Sequence, residues 1–178
     1  MKSCCALTLA LLVFSTSVQG QEEWQVVTSP DGVLEALAHG EATDSVTRSS
    51  TLAGKVVTKV REFQADTAEF AVCSTKLSRL VRRLTSTDKL YSSARKGVLQ
   101  KYSGEQLEFS ETIVDGIPAR LLRFRAEKSV DGHSSDYVGV AVILIFKNSM
   151  YAANALVPEG FGDAVVDKFH QSLRINRD

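Results

Sequence analysis

Three groups of residues in this chain are of types that could do chemistry. Asp131-Gly132-His133-Ser134-Ser135-Asp136 places two carboxylates and an imidazole within six residues, and Asp131, His133 and Asp136 are all donors that a divalent metal accepts. Structural zinc takes four ligands, and an EF-hand calcium loop is longer and ends in glutamate. A solvated turn accounts for the same letters and is the expected reading. The strongest run of charge is Lys76-Leu77-Ser78-Arg79-Leu80-Val81-Arg82-Arg83-Leu84. The guanidinium groups of Arg79, Arg82 and Arg83 can fork onto carboxylate or phosphate oxygens, which makes these three the candidates for docking a partner. The bland alternative is a solvated helix face above Leu77, Leu80, Val81 and Leu84. Third, Ser103, Ser110 or Ser134 could in principle be activated by His39, His133 or His170. None of these serines stands in a Gly-x-Ser-x-Gly elbow, and the chain contains no HExxH, CxxC or glycine-rich phosphate loop. No catalytic residue and no cofactor is therefore expected.

The compartment is written at the start of the chain. Lys2 precedes an apolar run from Ala6 to Phe14, and Val18 and Gly20 supply small side chains ahead of Gln21. That pattern predicts an export signal over residues 1–20, cleaved before Gln21, and a periplasmic or secreted product. The run is well short of the ~18 apolar residues a spanning helix needs, so an integral membrane protein is not expected. Cys4 and Cys5 precede the apolar run instead of following it, which argues against a lipid anchor. Beyond residue 20 the chain carries 20 basic and 21 acidic side chains, a balance without the basic excess of nucleic-acid binders. Residues 21–178 are long enough for one domain with its own core, and no linker interrupts them. Cys73 is the only cysteine left there, so no intramolecular disulfide can form. Its neighbours read as strand core, which predicts a buried thiol.

The elements that must position these residues are mostly hairpins. Ser29-Pro30-Asp31-Gly32 reads as a tight turn between Trp24–Thr28 and a strand at Val33–His39. Residues 46–52 and 55–63 flank Ala53-Gly54 as a second hairpin, and Glu69–Thr75 follows as a strand. Tyr91, Ala94, Val98 and Tyr102 form one stripe of a helix over Ser86–Tyr102, capped by Ser86 or Thr87 and ended by Gly104 in the left-handed conformation. Leu107, Phe109 and Ile113 alternate with polar residues, predicting a strand with one buried face that turns at Asp115-Gly116 into Ala119–Ala126. Tyr137–Phe146 is the most apolar segment and is expected at the centre of the sheet. Lys147-Asn148-Ser149 reverses it into Met150–Val157, and Pro158 introduces a last helix whose ridge is Phe161, Val165, Phe169 and Leu173. Successive hairpins make the sheet mainly antiparallel.

In this order, with Asp115-Gly116-Ile117-Pro118-Ala119-Arg120 before a strand and Lys168-Phe169-His170-Gln171-Ser172-Leu173 at the end, the chain resembles a PsbP/Mog1-like domain of the small exported bacterial kind. The resemblance covers nearly all of residues 21–178. It implies an α+β fold, an α/β/α sandwich with a mainly antiparallel central sheet, and roles in binding or assembly more often than catalysis. The expected function is an exported, non-catalytic binding or assembly module of the cell envelope, meeting an envelope protein or an anionic surface and no nucleic acid. The alternative is an exported hydrolase or metal-dependent enzyme with its site near His133.

Overall fold

Alternating polar and apolar residues draw most of this chain into long hairpins, and the fold is built by stacking them side by side. The computed structural model describes residues 23–51, 54–66, 68–130, 133–160 and 162–177. Among these the strands are β1 (Gln25–Thr28), β2 (Leu34–Ala38), β3 (Glu41–Thr51), β4 (Gly54–Gln64), β5 (Glu69–Lys76), β6 (Glu105–Val114), β7 (Ile117–Val130), β8 (His133–Phe146), β9 (Ser149–Pro158) and β10 (Arg174–Ile175). The helices are α1 (Arg79–Leu84), α2 (Thr87–Tyr102) and α3 (Gly162–Gln171). Seven strands form a sheet in the order β3-β4-β5-β9-β8-β7-β6, and β1, β2 and β10 form a smaller one in the order β1-β2-β10. Every pairing is antiparallel.

The two faces of the large sheet carry different cores. Phe63, Phe70, Val72, Val140, Val142, Leu144, Ala153 and Ala155 point toward the small sheet and α3, where Leu34, Ala36, Phe169, Leu173 and Ile175 complete one apolar cluster. On the opposite face Leu122, Phe124, Ala126, Ala141 and Leu156 meet Val98 and Tyr102 of α2. Because side chains alternate along a strand, β8 must be apolar at every position from Val140 to Leu144 to serve both clusters. The result is the expected layered α+β sandwich, with α2 on one side of the main sheet and α3 with the small sheet on the other.

The first of the stretches that carry the resemblance is tied to the strand just beyond the second. Asp115 and Gly116 both take positive φ, 47° and 79°, as a two-residue hairpin loop requires. The Asp115 carboxylate then accepts the Ile175 N–H at 2.7 Å, and its carbonyl accepts from Arg177 at 2.6 Å. The turn between β6 and β7 thus fixes the strand that follows α3. At the same end of the small sheet, Gly32 N–H donates to the Ser29 carbonyl at 2.8 Å and Tyr151 donates to Asp31 at 3.0 Å, tying the Ser-Pro-Asp-Gly turn to the main sheet.

Several expectations change on contact with the structure. The middle strand of seven is β9, with β8 beside it, because β5 returns to pair with β9 and adds strands on that side. The left-handed residue ending α2 is Ser103, φ 49°, not Gly104. Gly104 is needed for a different reason: a Cβ there would stand 2.8 Å from Cδ2 of Phe124. The face expected to be buried on β6 is largely open. Phe109 is half-buried beside the α2 cluster, while Leu107 sits at a register shift and Ile113 is 71% exposed, since β6 is the edge strand. Gly54 pairs with Thr51 and so belongs to the strand, not to the turn. Pro158 closes β9, and α3 begins later, at Gly162. Of the terminal ridge, Phe161 lies outside the described residues, Val165 is half-buried, and Val166 joins Phe169 and Leu173 in the core.

Candidate functional site

The basic run folds into a helix because Ser78 caps it, its side chain accepting the Val81 N–H at 3.2 Å. Only Leu77 and Val81 are buried. Leu80 is 51% and Leu84 69% exposed, so the expected apolar ridge is split and half of it faces outward. The cause is local: α1 is six residues long and packs through one contact line, with Leu77 N–H donating to the Asn148 carbonyl at 2.9 Å. Arg79, Arg82 and Arg83 are all exposed. Arg82 donates to the Asn148 side chain, and among the described residues no carboxylate pairs with any of the three. Several other cations are neutralised: Arg61 by Asp44 at 2.7 Å, Arg123 by Asp167 at 3.2 Å, Arg125 by Glu159 at 2.8 Å, Lys101 by Glu62 and Lys128 by Glu69. The surface around α1 therefore combines unpaired guanidinium groups with two open leucines.

The metal candidates are not brought together among the described residues. Asp131 lies outside them, nothing is described of the His133 side chain, and Asp136 is exposed, its carbonyl accepting the Glu159 N–H at 2.9 Å. No group of three or more His, Cys, Asp or Glu suited to a metal occurs among the described residues. The serines are equally scattered. Ser103 caps α2, Ser110 lies on β6, and Ser134 donates to Glu127 across the β7–β8 pair. His39 is buried, edge-on to Trp24 and Phe70 with ring centroids 4.8 and 5.0 Å away. His170 is half-buried in α3, where burial and then Arg123 hold its pKa below the ordinary value while Asp167 opposes them.

Grooves lie on both sides of α2, and neither was legible in the sequence. The larger, of about 670 Å³, runs between the start of α2 and the β6–β7 edge and is lined by Asp88, Tyr91, Glu111, Ile113 and Arg120 among others. Its charges satisfy each other. Arg120 binds Glu111, reaches Asp88 at 3.5 Å and lies over the Tyr91 ring, and Tyr91 donates to the Pro118 carbonyl at 3.1 Å. The smaller groove, of about 420 Å³, lies on the other side of α2, over β4, β5 and β9. It is mostly apolar, with Val60, Val98, Met150, Ala152 and the buried Asn154 in its lining.

Asn154 is 3% exposed, and its side-chain oxygen has no hydrogen-bond partner among the described residues. The register explains why: the residues opposite it on β5 and β8 are Ala71 and Ala141, which have no polar atoms to offer. An unmade buried hydrogen bond costs about 1–3 kcal/mol. Cys73 lines the same groove. It is a free thiol but half-buried, not sealed in the core as expected, because its side chain lines the groove between β5 and α2.

Burial nevertheless pushes the Cys73 thiol from its ordinary value of 9.0 up to about 11, with Lys101 opposing and Glu62 reinforcing the shift. Labelling with a maleimide is expected to be slow at pH 7 and to accelerate as pH approaches about 11, since only the thiolate attacks. Because the unfolded thiol ionises near 9, the stability tied to this group is intact below pH 9 and is lost as pH rises through about 11. Rapid labelling of the folded protein at pH 7 would contradict this.

No helix among the described residues is long and apolar enough to cross a membrane. No protein-family model matches the sequence, and neither does any protein of curated function. The solution structure of cyanobacterial PsbP (CyanoP) from Synechocystis sp. PCC 6803 does match in three dimensions, with a TM-score of 0.55 and 12% identity over 91% of this chain and 98% of that one. At this identity the likeness concerns architecture: the chain has the PsbP-like α+β sandwich fold.

Proposed function

We propose that this protein is an exported, non-catalytic binding or assembly module of the cell envelope, and that α1 is the surface through which it docks an acidic protein partner. The observation that carries the reading is the clustering, on one short helix, of three guanidinium groups, unpaired with any carboxylate among the described residues, beside two open leucines. Arg61, Arg120, Arg123 and Arg125 each have a carboxylate, whereas Arg79, Arg82 and Arg83 have none among the described residues and surround exposed Leu80 and Leu84. Lys147, next to the Asn148 that holds Arg82, extends the basic area. Arginine beside open apolar side chains is the composition of a protein interface: the forks recognise carboxylates, and the leucines supply area to bury. The export part of the proposal rests on residues 1–20 of the sequence, and the absence of a catalytic role on the scattered serines and histidines. The PsbP-like fold supports a platform role as an analogy only.

The test is recovery of partners from the native envelope by tagged protein carrying Arg82→Glu and Arg83→Glu. Folding should be nearly unchanged, since exposed substitutions usually cost within about 0.5 kcal/mol. Partner recovery should fall, and the salt sensitivity of what remains should weaken, because exposed charges act through screened attraction. Unchanged recovery would return the run to a solvated face. Loss of binding to anionic vesicles, with protein partners unaffected, would replace the acidic protein by a membrane surface.

A further inference from the structure

Two residues that weaken the fold converge on the smaller groove beside α2. Asn154, which lines it, holds a buried amide oxygen without a partner among the described residues; an apolar side chain would pack against Ala71 and Ala141 without that loss. Gly97 lies inside α2, where glycine is a poor helix former. Its φ is not positive, and a Cβ added there would meet nothing within 4 Å. Neither backbone conformation nor packing demands a glycine at that site; its missing side chain leaves that wall of the groove open.

The remaining lining defines what could enter. Thr58 and Thr75 bond each other across β4 and β5 at 2.8 Å, so their hydroxyls are already engaged. Lys101, at the rim, is paired with Glu62 and lies over the Tyr102 ring. Among the described residues no unpaired charge lines the groove, and most of the lining is carbon, from Val60, Ala94, Val98, Met150 and Ala152. A pocket of about 420 Å³ falls in the size range of small-molecule sites, which are mostly apolar with a few polar groups that fix orientation. A hydroxyl suits the amide of Asn154, because it can donate to the oxygen and can also accept from the nitrogen.

We infer that the groove between α2 and strands β4, β5 and β9, left open at Gly97, binds a small, neutral, largely apolar alcohol, whose hydroxyl pairs with Asn154. The site is separate from α1, and the inference stands whether or not α1 docks a partner.

The experiment is an amide NMR titration of the full folded chain with 1-hexanol. Saturable shifts confined to residues lining the groove, such as Gly97, Val98 and Ala152, are expected, together with at least a severalfold slowing of Cys73 labelling at pH 9. Gly97→Leu, which fills the gap with a better helix former, should abolish the saturable shifts. Asn154→Leu should weaken binding about tenfold, the factor expected from one lost hydrogen bond. Unsaturable drift spread over the whole protein, no protection of Cys73, or shifts that survive Gly97→Leu would each overturn the inference. The protection measurement uses the unaltered chain and so decides the matter even if a variant fails to fold.

Discussion

Truncating Phe169 to alanine is expected to destabilise the protein by about 3–5 kcal/mol. Its ring is fully buried, lies 5.4 Å from that of Phe70, and belongs to the cluster that joins the small sheet to the large one. The cost has two parts, the lost burial of the ring and the cavity left behind. The cavity cannot collapse easily, because the walls are strands fixed in two separate sheets. Chemical denaturation should show a lower midpoint with an unchanged slope. Val165→Ala, one turn earlier and half-buried, removes less apolar surface and should cost less. A near-neutral Phe169→Ala would mean that α3 is not docked as described.

The role of Phe169 was legible because helical spacing alone puts it on the inner face of a terminal helix. Hairpins were equally readable, since Asp-Gly and Ser-Pro-Asp-Gly announce their turns by chemistry local to a few residues. What could not be read depends on partners distant in sequence. That β2 leaves the main sheet to pair with β10 is fixed by contacts between Leu34–Glu35 and Arg174–Ile175. The need for Gly104 comes from Phe124, not from the helix end it follows. On α1, helical spacing correctly grouped Leu77 and Val81 but could not say that the helix would be too short to cover Leu80 and Leu84. The groove was hidden for the same reason: Asn154 in an apolar strand reads as a minor irregularity until the alanines on both neighbouring strands are known.

The same dependence on distant partners makes Gly40→Ala a damaging substitution despite its small size. Gly40 stands between β2 and β3, where the chain leaves one sheet for the other, with φ at 104°. A Cβ there would come within 2.5 Å of the Gln64 carbonyl carbon and 2.8 Å of the Ala65 nitrogen. Those are backbone atoms, and they are held. Gln64 is paired with Glu41 in the first rung of the β3–β4 ladder, and Ala65 N–H donates to the Ala68 carbonyl at 2.9 Å. The forced φ costs about 1–3 kcal/mol, and the overpacking adds about 1–3 kcal/mol, so a loss on the order of 3 kcal/mol or more is expected. Gly116→Ala supplies the control, because its φ is 79° but nothing lies within 4 Å of an added Cβ. It should suffer only the backbone term, about 1–2 kcal/mol. Denaturation midpoints of the two variants should therefore separate clearly, with Gly40→Ala lower. An equal loss at both positions would mean that the strand end at Gln64 yields to the new methyl group, and hence that the two sheets are less firmly held at this crossing than their hydrogen bonds indicate.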